Sequence, residues 1–158
     1  MHPPGIIRPP GTQALRRGRQ SMWNQAYHVI SCTHERKPVF ADFRSARLLV
    51  RILMHEQDLA SSETMAFVVM PDHVHWLMSL AKECDLSARV NAVKSASARA
   101  INRRLRRSGR IWQRGYFDRA MRNDDNLSTV AEYITLNPVR AGIVTRRGDY
   151  PHWDSIWV

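Results

Sequence analysis

The run Phe67-Val68-Val69-Met70-Pro71-Asp72-His73-Val74-His75-Trp76-Leu77-Met78-Ser79-Leu80 constrains the fold of this chain more than any other stretch. β-Branched and apolar residues on both sides favour strands. Proline removes a ladder donor and Pro-Asp favours a turn, so the run predicts an antiparallel hairpin. Side chains alternate along a strand, which puts His73, His75, Leu77 and Ser79 on one face and Val74, Trp76, Met78 and Leu80 on the opposite, core-facing row. Two imidazoles about 7 Å apart on one strand face can converge on a cation. Taken alone, His-x-His is better explained by one buried and one solvated histidine, because two ligands do not complete a metal site.

The flanking pattern supplies the fold. Gln25 to Thr33 is rich in β-formers and predicts a first strand. Asp42 can cap a helix running to about Gln57, with Phe43, Ala46, Leu49, Val50 and Leu53 as its apolar stripe. After the hairpin (Thr64 to Met70, His73 to Leu80), Asp85 can cap a longer helix with Leu86, Val90, Val93, Ser97, Ala100, Ile101 and Leu105 at helical spacing, ended by Ser108-Gly109. A short strand follows around Tyr116 to Met121. Asp124 or Asp125 then caps a third helix with Leu127, Val130, Ala131 and Ile134 buried, stopped at Pro138. Strand–helix–strand–strand–helix–strand is the order of an α+β ferredoxin-like sandwich: an antiparallel sheet with helices on one face and the other face, carrying His73 and His75, left for chemistry.

At 158 residues the chain suits one domain, expected over residues 21–158. Residues 1–20, with two Pro-Pro pairs, three glycines and four arginines, read as a flexible basic arm. The net charge of +10 points to a polyanionic partner, nucleic acid or an anionic membrane. Residues 89–122 hold eleven basic side chains against one acid, Asp118, a surplus equal to the charge of the whole chain. No apolar run approaches the roughly 18–20 residues of a membrane span. Two cysteines are too few for a disulfide framework, and with no secretory signal pattern a cytoplasmic location is expected. No Gly-rich phosphate loop is present, so no nucleotide cofactor is expected.

In the third helix Tyr133 and Asn137 are four residues apart and share a face turned from the Leu127/Val130/Ile134 stripe. A divalent metal held by His73, His75 and the Asn137 oxygen would keep open positions for a phosphodiester, which Tyr133 would attack. Mixed nitrogen and oxygen donors suit Mg²⁺ or Mn²⁺ better than a closed zinc site. Taken singly, Tyr133 also fits a packing role and Asn137 a helix C-cap.

These motifs resemble a known family. Met70-Pro71-Asp72-His73-Val74-His75 is similar to the His-hydrophobe-His (HUH) motif of the one-tyrosine transposases, and Tyr133-Ile134-Thr135-Leu136-Asn137-Pro138-Val139-Arg140-Ala141-Gly142 to their tyrosine helix. Ile111-Trp112-Gln113, Arg122-Asn123-Asp124-Asp125 and the Asn-Pro-Val-Arg-Ala-Gly run most resemble the subgroup associated with repetitive extragenic palindromes (REPs). The resemblance covers residues 23–157. It implies that His73 and His75 are metal ligands, that Tyr133 is the nucleophile, and that Asn137 stands where many relatives carry a glutamine ligand one methylene longer. Tyr116 is the rival nucleophile.

The expected function is a Mg²⁺- or Mn²⁺-dependent single-strand DNA endonuclease and strand transferase, acting on hairpin-forming, REP-like DNA through a 5′-phosphotyrosine. Arg99, Arg103, Arg104, Arg106, Arg107, Arg110 and Arg114 would grip the hairpin or the strand beside it. Two rivals are a non-catalytic repeat-binding protein and a zinc-type hydrolytic nuclease in which Tyr133 is structural. The resemblance leaves both a monomer and a homodimer open.

Overall fold

The computed structural model of the protein describes residues 25–55, 62–81, 84–122 and 125–158. The arm expected at 1–20 lies outside them. Five strands, β1 (Ala26–Cys32), β2 (Ser62–Met70), β3 (His73–Leu80), β4 (Phe117–Ala120) and β5 (Trp153–Ser155), form one sheet in the order β4-β1-β3-β2-β5. Every pairing is antiparallel. The helices are α1 (Phe43–His55), α2 (Leu86–Leu105), α3 (Leu127–Thr135) and the single turn α4 (Asn137–Arg140). This is the expected α+β sandwich, extended at one edge by β5.

Helices α1 and α2 cover one sheet face. Ala46, Leu49, Val50 and Leu53 of α1 and Leu86, Val90, Val93 and Ile101 of α2 meet Val29, Phe67, Val69, Val74, Trp76 and Met78 in a shared core. Both caps follow the sequence. The Asp42 carboxylate accepts from the Ser45 N–H (2.9 Å) and the Asp85 carboxylate from the Ala88 N–H (2.9 Å). Two stripe members are exposed and Ala100 is only partly buried. Phe43 is 58% exposed because it lies in the first turn of α1, where its ring rests on His152 instead, and Leu105 is exposed in the last turn of α2. α2 closes at Arg106, whose left-handed conformation (φ 50°, ψ 44°) ends the ladder before Ser108-Gly109.

The opposite face is not left bare. Its central residues, Ala66, Val68 and Met70 of β2 and Leu77 of β3, are apolar and pack with Ala131 and Ile134 of α3. That apolar patch is why α3 lies here, on the same side of the sheet as His73 and His75. Asn126 caps α3 by accepting from the Ser128 and Thr129 N–H groups, whereas the Asp125 carboxylate accepts from the Arg122 N–H and pairs with Arg119; Asp124 lies outside the described residues. Pro138 has no N–H to return to Ile134, so α3 closes at Leu136 and the chain turns again as α4, with the Val139 N–H bonded to the Leu136 carbonyl. The stop expected at Pro138 is thus a break between two helical pieces.

Candidate active site

Register places the site. In antiparallel pairing, opposed residues point to one face, so Cys32↔His73, Ile30↔His75 and His28↔Leu77 put His28, His73 and His75 on one side. The His73 and His75 rings meet edge to face with centroids 5.0 Å apart, and His28 stacks on His75 at 5.2 Å.

Each of the two motif histidines has one nitrogen committed. His73 Nδ1 lies 2.7 Å from Asp72 Oδ1; a carboxylate can only accept, so Nδ1 carries the proton. His75 Nδ1 lies 3.0 Å from His28 Nε2. The second Asp72 oxygen accepts from Arg36 Nε at 2.9 Å, and Arg36 also donates to Cys32 Sγ. Arg36 reaches this position from a turn in which Glu35 and Arg36 both adopt positive φ (56° and 55°), a costly conformation for residues with a Cβ.

Electrostatics keep the imidazoles neutral near pH 7. Burial lowers His73 below the ordinary histidine value, outweighing the Asp72 carboxylate that raises it. Burial, then the charges of His28, His73, Arg140 and Arg36, lowers His75 well below it. Burial and the Arg119 guanidinium push His28 down to about 4. Burial resists ionisation of Asp72, but hydrogen bonds from His73 and Arg36 hold its carboxyl below the usual range.

This donor set fits a divalent metal. Neutral imidazole is the ligating form, and with Nδ1 occupied the Nε2 atoms of His73 and His75 would be the donors to such an ion. A carboxylate or second imidazole behind each ligand is the usual orienting arrangement. Among the described residues no three His, Cys, Asp or Glu side chains are grouped as a metal cage, so the remaining positions would fall to other oxygen donors.

Tyr133 is half-buried on α3, whose neighbouring Ala131 and Ile134 are buried against the histidine-bearing face. The Arg140 guanidinium lies 3.7 Å from the centre of its ring. Asn137 opens α4 beyond the break. Among the described residues its carboxamide makes no hydrogen bond. Tyr116 is placed elsewhere: it is buried in the α1/α2 core with its hydroxyl 2.6 Å from Ser87 Oγ, on the far side of the sheet.

The expected DNA-binding arginines gather at the C-terminal end of α2 and the loop after it. Arg99, Arg103 and Arg104 are on the helix, Arg106 caps it, and Arg107, Arg110 and Arg114 follow. They share the α1/α2 side rather than the histidine side. The loop nonetheless reaches the end of the sheet where β1 finishes and β3 begins: Gln113 N–H bonds the Cys32 carbonyl and His34 N–H the Ile111 carbonyl. Arg104 is paired with Asp42 at 3.1 Å.

Sequence reasoning missed His28, Asp72, Arg36 and Arg140 as parts of the site. In the sequence, Asp72 stands as a turn former inside the His-x-His motif and His28 as part of a β-rich run. Its position facing β3 depends on a register that no local pattern encodes.

Known proteins match this chain in sequence and fold. A family model described as "Transposase IS200 like" matches residues 21–137. A Haemophilus influenzae protein named as a REP-associated tyrosine transposase is 34% identical over 100 residues, covering 57% of this chain and 57% of that protein. The REP-associated tyrosine transposase of Escherichia coli is 31% identical over 90 residues (56% and 52%), and the ISDra2 transposase TnpA of Deinococcus radiodurans 35% over 90 (55% and 61%). The chain thus spans little more than half the length of the relatives it matches. A solved REP-associated tyrosine transposase, bound to a REP hairpin, shares the fold with a TM-score of 0.71 at 23% identity, covering 85% of this chain and 79% of that one. With the family model spanning most of the sequence, His73, His75, Tyr133 and Asn137 included, this chain belongs to the IS200-like transposase family.

Proposed function

We propose that the protein is a metal-dependent single-strand DNA endonuclease and strand transferase that acts on hairpin-forming DNA through a 5′-phosphotyrosine. The observation that carries this reading is the packing of the Tyr133 helix on the sheet face of two neutral histidines, each with Nδ1 engaged. His73 and His75 would hold Mg²⁺ or Mn²⁺, with the Asn137 oxygen as a third donor. When bound, the metal supplies Lewis-acid polarisation of a phosphate oxygen.

The Tyr133 oxygen attacks phosphorus and gives up its proton. The bond from phosphorus to the 3′-oxygen breaks, and that oxygen leaves and takes up a proton. The products are a 5′-phosphotyrosine and a free 3′-hydroxyl. The new ester preserves the phosphodiester bond energy, so a 3′-hydroxyl can reverse the step with no nucleotide cofactor. A hairpin substrate is supported by the related structure bound to a REP hairpin, and the arginines at the end of α2 would take its phosphates.

The test is incubation of single-stranded hairpin DNA with the protein and Mn²⁺, followed by a denaturing gel. A shifted, nuclease-trimmed protein band is expected for wild type and not for Tyr133→Phe, with DNA affinity retained by both. Cleavage without any adduct would leave a hydrolytic nuclease, and binding without cleavage a repeat-binding protein.

A further inference from the structure

Among the described residues Arg140 makes no ion pair, and it is exposed at the end of α4. It sits where two parts of the site meet. Its guanidinium lies over the Tyr133 ring at 3.7 Å, and its charge acts on His75. In an unbroken helix, residues seven apart would be separated by a rise of about 10 Å. The break at Leu136 and Pro138 brings the two side chains into contact instead.

Stacking occupies only the flat face of a guanidinium. The five N–H donors point outward in its plane, free for a planar or tetrahedral anion. Asp72, behind His73, has one oxygen engaged by His73 and the other by Arg36. The Arg140 guanidinium thus places a fixed positive charge against the expected nucleophile, a setting suited to one anion.

We propose that Arg140 binds the scissile phosphate of the DNA, fixing the Tyr133 ring with its face and a non-bridging phosphate oxygen with its edge. The inference rests on the phosphotyrosine reading and adds to it the group that holds the reacting phosphate. In the transition state negative charge grows on those oxygens, and a donor already aimed at them needs no reorganisation. Lysine would keep the charge but lose both the planar stack and the two-point fork.

The experiment first maps the phosphate at which wild-type protein forms its adduct in Mn²⁺, then measures two quantities for wild type, Arg140→Gln and Arg140→Lys. The first is the single-turnover rate of adduct formation, with Arg51→Gln on α1 as a control for loss of one general positive charge. Arg140→Gln is expected to slow the step by about 10²–10³-fold, the usual effect of deleting one such donor. Arg140→Lys should recover part of the rate, and Arg51→Gln, which removes an exposed charge from α1, should leave the rate unchanged. The second quantity is affinity without metal for DNA carrying a single neutral methylphosphonate at the mapped position. Wild type should bind it about tenfold more weakly than natural DNA, whereas Arg140→Gln should not distinguish the two. An adduct formed equally fast by wild type and Arg140→Gln, with the same methylphosphonate penalty in both, overturns the role of Arg140 and leaves the phosphotyrosine reading standing. If wild type forms no adduct, both readings fail.

Discussion

Asp72→Asn tests whether the carboxylate behind His73 prepares that ring for a metal. The substitution keeps size and backbone, so the Asp72 carbonyl still accepts from the Thr33 N–H and hydroxyl. What changes is the charge that faces His73 Nδ1 at 2.7 Å and Arg36 Nε at 2.9 Å. Losing such an orienting partner usually lowers metal affinity 10–100-fold, about 1.4–2.7 kcal/mol. The cost to folding should be smaller. The Arg36 and Asp72 side chains are 38% and 28% exposed, so solvent screens the pair and about 0.2–1 kcal/mol is at stake. In a domain of this size that shifts Tm by at most about 2–4 °C. Calorimetric titration with Mn²⁺, with circular dichroism as the folding control, separates the two effects. An Mn²⁺ affinity equal to that of wild type, in a folded variant, would refute the claim that Asp72 orients a ligand.

Other expectations follow from single contacts. Replacing Arg103, Arg104, Arg106 and Arg107 with Gln should flatten the dependence of log K on log[salt] by about 2–3, because Arg104 is already paired with Asp42 and about three phosphate contacts would be lost; an unchanged slope in filter-binding assays would make these arginines a merely solvated surface. Trp112→Phe removes a buried hydrogen bond from Nε1 to Ser97 Oγ (2.9 Å) and should lower stability by about 1–3 kcal/mol in urea unfolding; an unmoved midpoint would deny the bond that role. Burial raises Tyr150 to about 12, and its hydroxyl donates to the Val69 carbonyl. Because the folded state keeps this proton above the pH at which the unfolded chain loses it, the contribution of Tyr150 is complete below about pH 10 and fades as pH rises toward 12. The stability gap between wild type and Tyr150→Phe should therefore shrink across that window in urea titrations at stepped pH, and a constant gap would show that Tyr150 does not titrate there.

Local patterns were enough to fix much of this protein. Period-two alternation set the His73–Leu80 strand and its faces, and the two carboxylates Asp42 and Asp85 marked where α1 and α2 begin, because a cap acts on N–H groups only two or three residues away. The His-x-His and Tyr-x-x-x-Asn spacings named the candidate ligands and nucleophile for the same reason: their geometry is set within one strand or around one helical break. What depends on residues far apart in the chain had to wait for tertiary structure. Whether α3 covers the helical side or the histidine side was decided by the apolar patch of Ala66, Val68, Met70 and Leu77, which needs strand pairing before it exists. The pairing of His28 with His75, 47 residues apart, comes from the β1–β3 register. Tyr116 was removed as a rival by burial against Ser87 on the far side of the sheet, and Arg140 was brought onto Tyr133 by a break whose direction Pro138 announces but does not determine. Sequence spacing conveys which side chains share an element; only packing, which buries apolar surface from distant segments together, conveys which elements share a site.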